Sequence, residues 1–331
     1  MRTFYRHKRI LVTGGTGSIG SEIVRQLLTH SPAVVRVFSR DDSKQADLEQ
    51  RLGRNPRLRY LIGDVRDRYR LKHAMQGIDV VFHAAALKHV PTCEYNPFEA
   101  VQTNAIGTQN VVQAALDAGV ARVVAISTDK AVNPVNTMGA SKLLAERITV
   151  AAGQSIKHTR LCAVRFGNVV GSRGSLVPLI DGQLSRGGPV TVTDPDMTRF
   201  MMTIPDAVRL VLQAGVSTKG GEVFILKMPA VRVGDFVRAA IGLLAPRHGL
   251  RPSAVRRTTI GARAGEKRHE ELLTLEELPR TRDLGAMLVV SPPWRPSKAK
   301  APPARQIWLS DAAAHLGQDD LRKLLKRSGV V

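Results

Sequence analysis

The sequence is poor in aromatic residues and in cysteines. Phe, Trp and Tyr make up 4% of its 331 residues, so Val, Leu, Ile and Ala must fill the core, as in buried parallel sheets. Cys93 and Cys162 lack the spacing of metal ligands, and we predict no metal site. Charged residues stand where a signal peptide would need an apolar stretch, and no run of about 20 apolar residues occurs. We therefore expect a cytoplasmic protein without a transmembrane segment.

Acidic residues are also scarce, since 49 Lys and Arg face 28 Asp and Glu, for a net charge of +21. Such a charge suits nucleic acid, an anionic membrane surface or polyphosphate ligands. The basic residues are spread along the chain, with denser patches at 2–9, 295–305 and 322–327, and form no aromatic-interleaved stripe. We favour a solvated basic surface and expect no nucleic-acid partner.

Short runs rich in Val and Ile alternate with longer stretches of helical periodicity, which predicts an α/β fold with a doubly wound parallel sheet. Helices are predicted at 18–28 and at 98–118, the second ended by Gly119, and others begin at Pro205 and Val233. The predicted strands are 9–13, 34–39, 58–62, 80–84, 123–127 and 161–166.

Composition changes beyond Asn168, where Gly- and Pro-rich segments begin. We predict a dinucleotide-binding domain at 1–168 with later returns at about 203–235, and a smaller C-terminal substrate-binding domain at 169–290. Residues 291–331 form a basic, Pro-rich tail. Its first part predicts an irregular strap and residues 311–326 a short amphipathic helix.

A glycine-rich turn follows the first predicted strand and precedes a helix. Gly14 permits the tight turn, Gly17 lets the backbone approach a pyrophosphate, and Gly20 lets helix and strand pack closely. The helix N-terminus attracts the anion, so the pattern predicts dinucleotide binding. The predicted contacts are Gly14, Thr16, Gly17, Ser18 and Ile19.

The end of the second strand carries cations instead of a lone acidic residue. Arg40 and Lys44 suit the 2′-phosphate of NADP. The alternative is NAD, with Asp41 bound to the ribose hydroxyls and Arg40 in a surface loop. Asp64, after the third strand, is predicted to receive the adenine amino group.

Polar residues gather after the fifth strand and at the start of the next helix: Thr128, Asp129, Lys130, Met138 and Lys142. Ligands bind at the carboxyl edge of a parallel sheet, so these groups are predicted to face the nicotinamide. Burial should push both lysines toward neutrality, with Asp129 lying among ammonium groups.

At these motifs the sequence resembles the UDP-N-acetylglucosamine 4,6-dehydratases of bacterial polysaccharide and glycan biosynthesis, in the extended short-chain dehydrogenase/reductase superfamily. The resemblance covers roughly residues 5–277. Besides the glycine turn it rests on SRDDSKQ (39–45), IGDVRD (62–67), HAAALKHVP (83–91), STDKAVNP (127–134), RFGNVVGSRGS (165–175), TDPDMTRF (193–200) and GEKRHEEL (265–272).

The resemblance implies that NADP takes a hydride from sugar C4, that water is eliminated across C5 and C6, and that the hydride returns to C6. Lys130 would remove the C5 proton, Asp129 would protonate the departing hydroxyl, Lys142 would hold the nicotinamide ribose, and Thr128 would lie near O4. Where the superfamily usually has tyrosine this chain has Met138, which cannot accept a proton. Some family members share this methionine, which we expect to pack beneath the nicotinamide. Asp129 or Lys130, acting through Thr128 or water, would then take the O4 proton.

Further contacts are predicted with the cofactor and the nucleotide sugar, UDP-N-acetylglucosamine. His83 is expected to be a core histidine, and the resemblance implies a homo-oligomer. The additional cofactor contacts are Val65, Ala84, Ala85, Ala86, Lys88 and Asn104. The substrate contacts are Lys88, Asn168, Arg173, Arg199, Arg263 and Glu266.

Two other functions remain open. A UDP-sugar 4-epimerase shares the fold and the C4 oxidation, but it does not need the pair of Asp129 and Lys130. A noncatalytic dinucleotide-sensing or nucleic-acid-binding protein would fit Met138 and the charge of +21.

Overall fold

A computed structural model describes residues 1–155, 158–295 and 303–330. The helices are α1 (Arg2–Tyr5), α2 (Ser18–Leu28), α3 (Asp42–Leu52), α4 (Arg68–Ala74), α5 (Val90–Tyr95), α6 (Pro97–Ala100), α7 (Gly107–Asp117), α8 (Thr137–Ser155), α9 (Leu176–Leu184), α10 (Ile204–Ser217), α11 (Val233–Leu244), α12 (Arg305–Trp308) and α13 (Gln318–Arg327). The strands are β1 (Arg9–Thr13), β2 (Val34–Ser39), β3 (Leu58–Ile62), β4 (Val80–His83), β5 (Arg122–Ile126), β6 (Arg160–Arg165), β7 (Asn168–Val170), β8 (Val190–Val192), β9 (Thr198–Thr203), β10 (Glu222–Leu226), β11 (Ala230–Arg232), β12 (Arg257–Thr259), β13 (Thr281–Asp283) and β14 (Met287–Val290). Between them lie a π-helical turn at Val101–Ile106 and 3₁₀ turns at Asp129–Ala131, Ala245–His248, Pro252–Ala254 and Leu278–Arg280.

The predicted doubly wound sheet is confirmed. Within the described residues nine strands form one sheet in the order β3-β2-β1-β4-β5-β6-β10-β14-β13. The first seven of these are parallel, whereas β14 pairs antiparallel with both neighbours. All six predicted strands are present, and their bounds differ from the prediction by at most one residue.

Helices cover both faces of this sheet. Along β1, Ile10 and Val12 pack into the core that contains α2 and α10, and Leu11 packs into the core that contains α4 and α7. Successive side chains of a strand point to opposite faces, so a strand buried on both faces must be continuously apolar. The Val- and Ile-rich runs of the sequence follow from this arrangement.

The prediction of one continuous helix at 98–118 is wrong. The structure has α6, then a π-helical turn, then α7, and Gly119 follows with φ of 65°. The π-helical turn contains Asn104, whose side chain accepts from the Leu87 amide at 2.8 Å and donates to the Leu87 carbonyl at 3.0 Å. A π-turn widens the helix locally, and here it accompanies the contacts that fix the loop after β4.

The chain beyond residue 168 contributes to two parts of the molecule. Helix α10 and strands β10, β13 and β14 belong to the large sheet and its helices. A second core is formed by α9, α11 and α13 with β8, beside the three-stranded sheet β11-β9-β7 and the pair β12-β8. The predicted domain boundaries after residues 168 and 290 stay a prediction.

Residues 303–330 of the predicted tail pack against the rest of the chain. Trp308 is buried, and its carbonyl accepts from the Leu272 amide at 2.9 Å. Leu321 and Leu325 of α13 are buried in the second core. The predicted amphipathic helix is present as α13, but it begins at Gln318 instead of residue 311, after a segment whose Leu316 amide donates to Ala230 of β11. Residues 296–302 of the predicted strap lie outside the described residues.

Candidate active site

A cavity of about 770 Å³ lies at the carboxyl ends of the parallel strands. It runs from the glycine turn to the start of α8 and is closed on one side by the segment after β7. Most predicted site residues line it: Gly14, Thr16, Gly17, Ser18, Ile19, Arg40, Lys44, Asp64, Val65, Ala84, Ala85, Ala86, Lys88, Thr128, Lys130, Met138, Lys142, Asn168 and Arg173.

The glycine turn has the geometry that a dinucleotide requires. Gly14 has φ of +64°, and a Cβ there would lie 2.6 Å from the Ala85 amide nitrogen. A Cβ at Gly20 would overlap the Gly14 carbonyl oxygen. The turn therefore admits no side chain at either position, and it opens into α2, whose first amides attract an anion. The residues present fit a bound dinucleotide.

Arg173, a predicted substrate contact, lies over this glycine turn. Its guanidinium donates to the Thr16 carbonyl oxygen, and its backbone amide donates to Ser18 Oγ at 3.1 Å. Lys88 lies beside it, with Nζ 3.4 Å from Ser172 Oγ. Burial, and then the charge of Arg173, lower the pKa of Lys88. Both cations are placed to face a phosphate group in the cavity.

Four charged residues surround the end of β2. Asp41 accepts from the Lys44 backbone amide at 2.9 Å and also pairs with the Lys44 ammonium group, so it caps α3. Arg40 Nη1 lies 3.4 Å from Asp64 Oδ2, and 54% of the Arg40 side chain is exposed. The carboxylate of Asp64 also accepts from Arg66. Both acidic groups are thus already engaged, while Arg40 extends along the cavity rim.

The predicted acid and base lie together in the 3₁₀ turn after β5. Lys130 Nζ donates to Asp129 Oδ1 at 3.0 Å, and Thr128 Oγ1 donates to the same oxygen at 2.9 Å. Asp129 is fully buried, whereas 24% of the Lys130 side chain is exposed. Asn168 Oδ1 lies 3.3 Å from Lys130 Nζ. Thr128, Lys130 and Asn168 line the cavity, with Asp129 behind them.

The sequence reasoning missed Glu270, which is part of this cluster. Its Oε1 lies 3.2 Å from Lys130 Nζ, and the side chain is 2% exposed. Arg199 Nε lies 3.8 Å from the same oxygen. The only sequence signal was its place in the GEKRHEEL motif, because 140 residues of chain separate it from Lys130.

The expected shift of the lysine pKa values toward neutrality has the right direction for Lys142 and the wrong direction for Lys130. Burial lowers the pKa of Lys142 to about 8, although Glu146 opposes this. Burial also acts against the ammonium form of Lys130, but Asp129 and Glu270 outweigh it and raise its pKa above the ordinary lysine value. Lys142 Nζ donates to the Ile126 carbonyl oxygen, which fixes it at the end of β5.

Met138 packs in a small apolar cluster with Cys93 and Ala100, at 4% exposure, and lines the cavity. Asn104 lies behind the wall of the cavity, because its amide is committed to Leu87 and to Ser141 Oγ at 2.9 Å. It therefore positions the loop after β4. His83 lies between Thr13 and Thr108, as expected of a core histidine.

The three remaining predicted substrate contacts lie outside the lining of this cavity, as far as the described residues go. Arg199 is 5% exposed and donates to the Thr198 carbonyl oxygen at 2.8 Å. Glu266 lies 3.4 Å from Arg199 and accepts from the Arg263 amide at 3.4 Å. Arg199, Glu266 and Arg263 form a separate group beyond Glu270, and their contact with substrate stays a prediction.

The parallel sheet and its glycine turn define a Rossmann-like fold of the extended short-chain dehydrogenase/reductase type. A sequence profile of the polysaccharide biosynthesis protein family matches residues 10–292, and the chain belongs to this family. A protein named UDP-glucose 4-epimerase from Rickettsia canadensis is 43% identical over 284 residues, 84% of this chain and 81% of that protein. An uncharacterized membrane protein of Methanocaldococcus jannaschii is 51% identical over 98% of this chain and 96% of its own length. Among the described residues of this chain, no helix is long and apolar enough to cross a bilayer.

Solved structures agree with this assignment. The X-ray structure of Pen from Bacillus thuringiensis has a TM-score of 0.92 and 42% identity, with 98% of each chain covered. The dTDP-glucose 4,6-dehydratase DesIV from Streptomyces venezuelae, with NAD and TYD bound, has a TM-score of 0.68 and 28% identity. That comparison covers 78% of this chain and 86% of DesIV.

Proposed function

We propose that the protein is an NADP-dependent, cytoplasmic dehydratase that converts UDP-N-acetylglucosamine into a UDP-2-acetamido-2,6-dideoxy-4-hexulose. The observation that carries the proposal is the contact of 3.0 Å between Lys130 Nζ and Asp129 Oδ1 at the cavity. Elimination across C5 and C6 needs a base at one carbon and an acid at the next. Adjacent residues in one turn can serve two adjacent carbons.

The glycine turn, Arg173 and Lys142 would hold the dinucleotide. The bound nicotinamide would supply hydride exchange, by taking hydride from C4 and returning it to C6. We assign Lys142 to the nicotinamide ribose because its ammonium group lies beside the end of β5. Asn168 is the lining group that we assign to the nucleotide diphosphate, whereas the contacts of Arg173 with the glycine turn favour the dinucleotide over the predicted substrate contact.

Proton movement follows from the hydrogen bond between Lys130 and Asp129. Transfer of one proton from Nζ to Oδ1 gives a neutral amine and a carboxylic acid without any net change of charge. The amine then accepts the C5 proton, and the acid gives its proton to the C6 hydroxyl as the C–O bond breaks. The ammonium and the carboxylate are thereby restored, and one water leaves.

Thr128 provides the group that Met138 cannot supply. Its hydroxyl lines the cavity and donates to Asp129 Oδ1 at 2.9 Å. A proton released from O4 can therefore leave through Thr128 to water in the cavity, because the carboxylate of Asp129 takes the proton of Lys130. Water returns one proton to C5 when hydride reaches C6, so both residues end in their starting protonation states. Met138 contributes an apolar surface beneath the ring, in keeping with its packing against Cys93 and Ala100.

The test is incubation of the purified protein with UDP-N-acetylglucosamine and NADP, followed by mass spectrometry. We expect a product lighter by one water, with a 4-ketone and a C6 methyl group in its NMR spectrum. The similarity to proteins named UDP-glucose 4-epimerase favours a second candidate, 4-epimerisation of a UDP-sugar. Epimerisation leaves the mass unchanged and inverts C4, so this outcome would replace the proposal. Binding of dinucleotide without turnover of either kind would support a noncatalytic protein.

Arg40 should set the preference for NADP over NAD. Asp41 is engaged by Lys44, which leaves Arg40 as the exposed cation at the rim. NAD in the DesIV structure supports the opposite preference. Arg40→Ala is expected to weaken NADP binding about 10- to 100-fold, the value of one or two charge-assisted hydrogen bonds, and to leave NAD binding within about twofold.

Calorimetric titration of both cofactors measures this preference. Arg54→Ala removes a comparable exposed arginine away from the cavity and should change neither affinity. Equal loss of NAD and NADP affinity in Arg40→Ala would contradict the assignment.

A further inference from the structure

Glu270 is a buried acidic residue next to the catalytic pair. It is 2% exposed and lies in the segment between β12 and β13. Its Oε1 is 3.2 Å from Lys130 Nζ, which also lies 3.0 Å from Asp129 Oδ1. The ammonium group of Lys130 thus contacts two buried carboxylates from distant parts of the chain.

The C-terminal segment fixes the main chain of Glu270. The Glu270 amide donates to Ser310 Oγ at 2.8 Å, and the Ser310 amide donates to the Glu270 carbonyl at 3.0 Å. Thr198 Oγ1 lies 2.7 Å from Ser310 Oγ, which ties the same point to β9. Since the backbone is held from both sides, the carboxylate is preorganised toward Lys130.

Two carboxylates and two cations form this cluster. Lys130 faces Asp129 from its own turn, the neutral Asn168 from β7, and Glu270, while Arg199 of β9 lies 3.8 Å from Glu270. One oxygen of each carboxylate, Asp129 Oδ2 and Glu270 Oε2, is buried without a hydrogen-bond partner in the described part of the chain. Burying an unpartnered carboxylate oxygen costs stability. Packing alone does not explain why a second carboxylate is buried here, whereas the contact of Glu270 with Lys130 does explain it.

We propose that Glu270 is a positioning residue that acts through Lys130: it holds the ammonium group beside Asp129 and retains the proton that these two residues share. This inference rests on the proposed dehydration. No proton enters or leaves in the step it supports, because an N–H bond of Lys130 breaks as an O–H bond of Asp129 forms. Glu270 touches neither substrate nor cofactor in this role.

The pH dependence follows from the charge of Glu270. At high pH the shared proton leaves the pair, and the neutral amine and ionised carboxylate that remain cannot protonate the C6 hydroxyl. A negative charge 3.2 Å from Nζ opposes that loss. Removal of the Glu270 charge should let the shared proton leave at a pH that is lower by about one unit or more, as expected for a charged partner within hydrogen-bond reach.

The test is the pH profile of kcat and KM for Glu270→Gln, which keeps the shape of the side chain and removes its charge. We expect the alkaline limb of kcat to move to lower pH by about one unit or more, with KM within about twofold of the parent. Glu276→Gln, an exposed glutamate on the same segment, should superimpose on the parent. Superimposed profiles for Glu270→Gln, or a raised KM with an unmoved limb, would overturn the inference.

A second variant and a direct measurement separate this inference from the proposed function. Glu270→Asp keeps the charge but withdraws it from Nζ, so an intermediate shift is expected even where Glu270→Gln fails to fold. In protein labelled with ¹³C at lysine Cε, the titration of Lys130, assigned with Lys130→Met, should move in the same direction. This titration needs no substrate. A parent enzyme without dehydratase activity would reject the proposed function, and an unmoved Lys130 titration would reject the role of Glu270.

Discussion

Lys130→Met is expected to lower kcat for dehydration of UDP-N-acetylglucosamine about 1000-fold, within the range attributed to general acid–base catalysis. The methionine keeps the length of the side chain and cannot accept the C5 proton. The variant should also stop exchange of the C5 proton with deuterium from solvent. Product formation is measured by mass spectrometry and exchange by NMR of the recovered nucleotide sugar.

Asp129→Asn should give a different pattern, because it removes the acid and leaves the base. We expect kcat to fall about 100- to 1000-fold while exchange at C5 persists. Loss of the Asp129 charge lowers the pKa of Lys130, so the amine remains competent to take the C5 proton. If Asp129→Asn loses exchange and Lys130→Met keeps it, the two roles are reversed.

Folding must be separated from catalysis in these variants. Lys130→Met leaves Asp129 and Glu270 buried, with Arg199 as the nearest remaining cation, and should lower the melting temperature. Asp129→Asn retains the pair of Lys130 and Glu270 and should melt closer to the parent. Lys72→Met changes an exposed lysine of α4 and should preserve both activity and stability. Full activity in Lys130→Met would remove the mechanism and leave the fold intact.

The parts of the site that the sequence predicted are those encoded locally. Asp129 and Lys130 are neighbours in one turn, and Gly14 and Gly20 belong to one strand–turn–helix unit, so their arrangement follows from short segments. Glu270 reaches Lys130 only because β9 and the C-terminal segment fix its loop. No spacing rule relates residues that are brought together by tertiary packing alone.

The error in the predicted pKa of Lys130 has the same origin. Burial lowers the pKa of Lys142, but at Lys130 the contacts with Asp129 and Glu270 outweigh it. The pattern of 311–326 predicts an amphipathic helix but not the surface that its apolar face covers. In the structure the apolar residues of α13, among them Leu321 and Leu325, complete the second core, and Ser310 holds Glu270.

A fully buried ion-pair network supports the active site from behind. Arg165, at the end of β6, is 1% exposed and pairs with Glu146 of α8 and with Glu277, whose Oε2 lies 2.8 Å from Nη1. Arg165 Nη1 also donates to the Leu272 carbonyl at 2.8 Å. Glu146 Oε2 accepts from Ser127 Oγ at 2.7 Å, next to Thr128 in sequence. The network therefore links the large sheet, α8 and the segment that follows Glu270.

Arg165→Met should be the most destabilising of the substitutions considered for this chain. Breaking a buried pair by removing one partner costs about 3–5 kcal/mol, and here two carboxylates lose the same cation. Chemical denaturation should show a reduced midpoint and free energy of unfolding. Arg186→Met, at an exposed arginine after α9, is the matched control and should stay within about 0.5 kcal/mol of the parent. Adding Glu146→Gln and Glu277→Gln should recover part of the loss.

The stability lost in Arg165→Met should depend on pH in a defined direction. Burial acts to raise the pKa of Glu277, but Arg165 outweighs it and lowers the pKa below the ordinary glutamate value. In the parent, Glu277 therefore contributes stability above its unfolded pKa, and this contribution is lost as pH falls through the folded pKa. In Arg165→Met only the weaker effects of the Thr274 amide and of Arg147 still oppose burial, so the pKa rises relative to the parent and protonation relieves the buried charge. The stability difference between parent and variant should shrink between about pH 7 and pH 5. A difference that stays constant over this range would mean that Arg165 stabilises the protein through packing and not through its charge.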